Sequence, residues 1–363
     1  MEQTKSFGPR LRAAAGYAWR EGTVYFVLAF LIIMFTVINP RFFSGRNIYN
    51  LITESSHYII AGMGISFVMI GGGIDLSVGY EMAMVSTTSF ILITSYANTH
   101  GGAVPTWFIL VIFAWGLFLG FVMGTINGLI CAKLKLFPLI VTIATSEVFK
   151  GICYTITSSK TYSGLPANFR SLYTTKMLGL PLDVYLALLC VILTWFVLNK
   201  THFGRDVLAV GGNRECARLS GIKADLVQIL TFAITGAVFG LAALDLMAHQ
   251  NMTSATSGPG TEFTCLTAAI IGGISMTGGK GNVVGLVAGI FVMQIISNGM
   301  QLAGWGAYLQ YAVKGIILLA AISFDAVKNR PQLAVRVHKA IRTGDLSELV
   351  KPEEKEETQN ESE

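Results

Sequence analysis

The sequence predicts an all-α, polytopic transmembrane helical bundle of about ten spans. Three observations carry that prediction. Of the 363 residues, 53% are apolar and only 13% charged, against about 25% charged in an average soluble domain. The apolar residues gather into ten runs, at about 23–39, 47–71, 76–97, 105–132, 139–157, 181–199, 226–248, 263–277, 281–303 and 308–327. A span needs about 20 such residues to cross about 30 Å of hydrocarbon. Lys and Arg are also unevenly shared between alternate connections. With the first segment inside, the inside segments carry 19 of them and the outside segments five: Arg41, Arg46, Lys160, Arg170 and Lys176. Lys150 and Lys314 fall within runs. That bias predicts cytoplasmic N- and C-termini for a protein of the cytoplasmic membrane.

Taken in order, residues 1–22 read as a cytoplasmic segment and 23–327 as the transmembrane domain. The first run ends in Ile38-Asn39-Pro40-Arg41, with no small-residue cleavage site, so it reads as an uncleaved span rather than a signal peptide. The second, third, fifth and eighth runs are rich in Gly, Ser and Thr, the pattern of broken or re-entrant segments. Residues 158–180 form a polar outside loop. Residues 200–224 form the longest inside loop, in which Asn213 to Leu219 reads as a short helix capped by Asn213 and stopped by Gly221. Residues 328–363 read as a cytoplasmic tail, acidic and disordered toward its end.

Several function classes drop out. Lys and Arg form no basic face interleaved with aromatics, so no nucleic-acid partner is expected. The five Cys are widely and irregularly spaced, with no metal or disulfide pattern, and read as packing residues. No H-E-x-x-H, G-x-S-x-G or close Cys/His pair occurs, so no catalytic residue and no metal site are expected. The stretch Gly272 to Gly281 superficially resembles a phosphate-cradling loop. Its Lys280 is followed by Gly281 rather than Ser or Thr, and the glycine spacing is one residue too long. The chain therefore shows no nucleotide or other cofactor site of its own.

Polar residues within the apolar runs point to a polar interior: Glu147, Lys150, Asn127, Asp245, Asn298, Gln301, Gln310 and Lys314. Asp75 follows three glycines that break a helix. It reads either as a cap on the next helix or as a pathway group, and the two roles are compatible. Asp75, Asn127, Asn298, Gln301 and Lys314 are the candidate pathway residues. Asn127-Gly128 and Lys150-Gly151 recur as Asn298-Gly299 and Lys314-Gly315, a faint echo of the kind that inverted repeats leave.

Four segments together resemble the membrane permease subunits of ABC importers for ribose and related simple sugars. They are Gly72 to Gly79, Gly211-Gly212-Asn213 through Arg218-Leu219-Ser220-Gly221, Gly272 to Gly281 with Val284-Gly285, and Asn298-Gly299 through Tyr311-Ala312-Val313-Lys314-Gly315. The resemblance covers most of residues 25–327. It implies a type II importer permease fold and a transport subunit that is not itself an enzyme. It also implies a second permease copy or paralogue, an ATP-binding cassette subunit that holds ATP and Mg, and a periplasmic or extracellular sugar-binding protein. The coupling loop to the ATPase would then comprise Gly211, Gly212, Asn213, Arg214, Ala217, Arg218, Leu219, Ser220 and Gly221. Asp245 to His249 and the acidic tail depart from the pattern. The rival readings are an ion-coupled secondary transporter, which the buried carboxylates keep open, and an intramembrane enzyme, for which no paired nucleophile or metal set is visible.

Overall fold

A computed structural model describes residues 24–329. The segment 1–22 and the tail beyond Asn329 lie outside the described residues. The helices are α1 (Val24–Ile38), α2 (Gly45–Ile70), α3 (Val78–Thr99), α4 (Thr106–Leu134), α5 (Pro138–Thr157), α6 (Ala167–Thr174), α7 (Leu182–Lys200), α8 (His202–Gly212), α9 (Arg214–Leu219), α10 (Ala224–Gln250), α11 (Thr261–Ile271), α12 (Val283–Leu302) and α13 (Ala307–Asn329). Each of the ten apolar runs contains one of them. Among the described residues, α4, α5, α7, α10, α12 and α13 as far as Val327 are long and apolar enough to cross a membrane.

The eighth run behaves differently from the others. Of the four runs read as broken or re-entrant, α2, α3 and α5 form continuous helices of 26, 22 and 20 residues, whereas α11 has 11 residues and at about 1.5 Å per residue spans about 16 Å. That is half the thickness of the hydrocarbon layer. Gly272 and Gly273 then stop it.

Contacts at the helix ends sort those ends into two groups. At one end, Asn39 donates to the Leu302 carbonyl at 3.0 Å, and Lys176 lies 4.3 Å over the ring of Tyr49. Tyr162–Ser163 pairs with Met252–Thr253 in a two-residue ladder at this end. At the other end, Arg214 reaches Asp225 at the start of α10, and the end of α2 meets the connection before α12. The two echoed segments, on α4–α5 and on α12–α13, thus run in opposite senses.

The core is built on α2 and α10. Residues 59–70 of α2 are all buried, as expected of a helix that is apolar on every side. Gly116, Gly120 and Gly124 of α4 lie against Phe232, Gly236 and Gly240 of α10, where an added Cβ would run into the facing backbone. Small residues at such a crossing let two helices approach closely, which drives association where no water is displaced. α12 is largely buried along its apolar stretch, whereas α13 is half-buried along one face, through Ile317, Leu318, Ala321 and Ile322.

Candidate functional site

Two glycine-rich stretches stop two helices in the same way. At the end of α2, Gly72 donates to Met69 O and Gly73 to Val68 O at 3.0 and 2.8 Å. At the end of α11, Gly273 donates to Ile270 O and Ile274 to Ala269 O at the same two distances. Gly72 (φ +83°) and Gly273 (φ +91°) occupy the left-handed position that this helix stop requires. The released chains then meet a third glycine pair. The Gly279 N–H donates to Ile70 O at 2.8 Å. A Cβ on Gly211 would collide with that same carbonyl, and a Cβ on Gly278 would come within 2.6 Å of Gly72 Cα and 2.7 Å of Gly211 O. Stretches far apart in sequence therefore close on one another backbone to backbone.

Gly211 belongs to α8, which the sequence reading treated as loop. Val-Gly-Gly before Asn213 carries no helix signal. Asn213 does cap α9, accepting from Cys216 N–H at 2.9 Å, and Gly221 (φ +87°) ends it, with Ile222 N–H donating to Ala217 O at 3.1 Å. Arg214 and Arg218 do not form one contact face. Arg214 is tied back to the bundle, donating to Asp225 at 2.6 Å and to Gln228. Arg218 pairs with Glu215 at 3.0 Å on the exposed side. Ala217, read from sequence as a small contact for a partner, is 4% exposed and packs inward. Leu219 is the outward apolar residue, at 83% exposure. Gly212 and Ser220 lie at the ends of α8 and α9, and Ser220 donates to Cys216 O at 2.9 Å.

Asp75 is buried rather than at a surface. Its Oδ1 accepts from Ser77 N–H at 2.9 Å and lies 2.5 Å from Ser77 Oγ. It thus turns the chain before α3 instead of capping the helix. Ser77 Oγ is also 2.9 Å from Glu81 Oε1, and Asn127 Nδ2 donates to both Ser77 Oγ and Glu81 Oε1 at 2.9 and 3.0 Å. All four side chains are at most 1% exposed. Ser77 has one hydroxyl proton and touches two carboxyl oxygens, so both contacts are hydrogen bonds only if one carboxyl carries a proton. Gly79, in the first turn of α3, packs on Pro259 and Glu262 where α11 begins. Two helix N-termini thus meet inside the bundle, and the acids Asp75, Glu81 and Glu262 sit at their positive ends. Among these, sequence reasoning named Asp75 and Asn127 but missed Ser77, Glu81 and Glu262; an acid in the first turn of each helix was the available signal.

The remaining candidates separate. Asn298 exchanges two amide hydrogen bonds with Asn47, at 2.8 and 3.0 Å, clamping α12 to the start of α2. Gln301 is exposed near the end of α12. Lys314 lines a cavity of about 460 Å³ bounded by α2, α10, α11 and α13. Asp245 is 1% exposed with neither oxygen hydrogen-bonded, and Asp183 and Tyr173 are its electrostatic neighbours. No cluster of three His, Cys, Asp or Glu among the described residues is arranged to hold a metal ion.

Comparison with known proteins places this arrangement. No solved structure matches the chain. The ribose import permease protein RbsC of Bacillus subtilis (strain 168) is 34% identical over 304 residues, covering 83% of this chain and 91% of that protein. The L-arabinose transport system permease protein AraH of Escherichia coli (strain K12) is 32% identical, covering 91% and 98%. The galactose/methyl galactoside import permease protein MglC of the same strain is 30% identical, covering 85% and 95%. A family profile matches residues 47–322, a stretch that takes in both helix stops, the glycine junction and the cavity. The chain belongs to that family, described as the branched-chain amino acid transport system / permease component.

Proposed function

We propose that this chain is the membrane permease of an ATP-driven importer of a simple sugar. In this reading it crosses the cytoplasmic membrane about ten times, keeps both termini in the cytoplasm, and performs no chemistry itself. The observation that carries the reading is the glycine junction. It ties the end of α8, which leads directly into α9, to the end of α2 and to the connection between α11 and α12. A push on α9 from a soluble ATPase would reach the bundle through backbone contacts that have no side-chain slack. ATP and Mg belong to that partner, and a sugar-binding protein delivers substrate from outside. The relatives that import ribose, arabinose and galactose support the substrate class.

A second permease copy is also part of the reading. Midway along α5, Glu147 and Lys150 pair at 3.1 Å with side chains 64% and 38% exposed. Charged groups facing lipid there are unfavourable, so a protein or water neighbour is required. α13 likewise packs only one half-buried face against the chain and leaves Tyr308, Ile316, Leu319 and Phe324 exposed. The test is co-purification and transport in proteoliposomes. The chain, its genomic ATPase neighbour and the binding protein should together give ATP-dependent uptake of a simple sugar. Uptake driven by an ion gradient without the ATPase would instead favour the secondary-transporter reading, for which unpaired Asp245 is the specific observation.

A further inference from the structure

The cavity between α2, α10, α11 and α13 has a polar wall in which two groups, His57 Nδ1 and the Lys314 ammonium, lack a partner among the described residues. Its polar wall comes from His57 and Tyr58 on α2, Gln250 on α10, Thr264 on α11, and Tyr311 and Lys314 on α13. Its volume of about 460 Å³ suits a small ligand. His57 is 6% exposed, and its Nδ1 has no hydrogen-bond partner. Lys314 is half-buried and forms no ion pair among the described residues. Leaving such groups unpaired is unfavourable, so the site is built for something that supplies oxygen atoms.

The start of α11 also lines this cavity, and a helix N-terminus ordinarily favours an anion. Here that position is taken. Glu262 Oε1 accepts from Gly260 N–H at 2.9 Å, so a carboxylate of the chain already answers the positive end of the helix. There is no guanidinium fork of the kind that grips carboxylates and phosphates. What is left is a mixed set: an ammonium, an imidazole, an amide, hydroxyls and the flat rings of Tyr58 and Tyr311. Such a set matches a ligand with many hydroxyls and no net charge.

We propose that this cavity is a transit site for one neutral monosaccharide, with Lys314 donating to a sugar oxygen and His57 completing the hydrogen-bond ring. The proposal rests on the importer reading above. His57 lies 13 residues from Ile70, so the site stands about 20 Å along α2 from the glycine junction. Substrate contact and coupling are spatially separate.

The test uses the full chain, its ATPase and its binding protein in proteoliposomes. The probes are radiolabelled D-ribose, L-arabinose, D-galactose and D-allose, with D-gluconate and D-galacturonate as charged counterparts. Lys314→Met should lower ATP-driven uptake about tenfold or more, and Lys314→Arg should stay within about threefold. Gly315→Trp should block the cavity with a similar loss. A Cβ at Gly315 meets nothing within 4 Å, so this variant keeps the test open should Lys314→Met fail to assemble with the ATPase. If the wild type carries no probe at all, the importer reading fails. If it carries a neutral sugar while Lys314→Met and Gly315→Trp both transport at the wild-type rate, the cavity is not on the route. Lys314-dependent uptake of the acids alone would overturn the neutral class.

Discussion

The glycine junction at the end of α2 and the polar cavity at its middle are built on opposite principles. At the junction the contacts are backbone to backbone, side chains are absent, and a hydrogen bond from Gly279 to Ile70 O holds the segments in register. The cavity is lined by side chains from four helices, among them His57, whose Nδ1 has no partner, and Lys314. The difference teaches a division of labour. Stiffness is gained at the junction by removing side chains, which suits it to the proposed transmission of force. Adaptability is gained by leaving donors and acceptors free where a ligand passes.

The comparison breaks most sharply at Gly211. Gly211→Leu would drive a side chain into the Ile70 carbonyl, and the expected loss is at least about 3 kcal/mol of stability. Uptake should vanish, and thermal unfolding of the purified permease should shift downward. Unchanged unfolding and transport would mean that the junction is not close-packed. Next in size is Leu219→Asp on the exposed side of α9. It should reduce sugar-stimulated ATP hydrolysis by about tenfold or more and release the ATPase on purification, with normal membrane insertion. Ala217→Trp should act otherwise, unseating α9 from the bundle. If Leu219→Asp couples normally, α9 is not the contact.

Ser77→Ala tests the buried acid cluster between the two regions. It removes the hydroxyl that Asp75, Glu81 and Asn127 share, and should cost about 1–3 kcal/mol. Chemical denaturation of the permease in detergent measures it, and a change near zero would contradict the hydrogen-bond arrangement. The smallest effect belongs to the Asn47–Asn298 clamp. A double-mutant cycle with alanine should return a coupling of about 0.6 kcal/mol, the average for polar pairs between membrane helices. No measurable coupling would place both amides in contact with lipid or water instead.

Local signals made the helices legible. Every apolar run contains a helix, and Asn213 and Gly221 mark α9 because caps and stops act within a few residues. The glycine stretches were legible as interruptions only. Their convergence depends on how α2, α8 and the connection after α11 pack, which no local pattern encodes. The inward packing of Ala217 was not legible, because a six-residue helix is too short for its pattern to tell a bundle-facing side from an exposed one. Asn298 was read as a pathway group because a polar residue in an apolar run looks the same whether it faces a pore or another amide. Lys314 stands out in sequence as a charge within an apolar run, whereas the polarity of His57 and Thr264 is ordinary until the cavity is seen.

α13 touches both regions. Lys314 faces the cavity, and Asp325, further along the same helix, accepts from Met276 N–H at 3.2 Å on the glycine-rich connection. A rod with one contact in each place makes the two sites thermodynamically reciprocal. If a ligand in the cavity and a partner on α9 each prefer one position of α13, the coupling free energy between them is the same read from either side. The factor by which sugar tightens ATPase association must then equal the factor by which the ATPase tightens sugar, and a weak transit site can bias the ATPase no more than its own preference between the two positions of the helix.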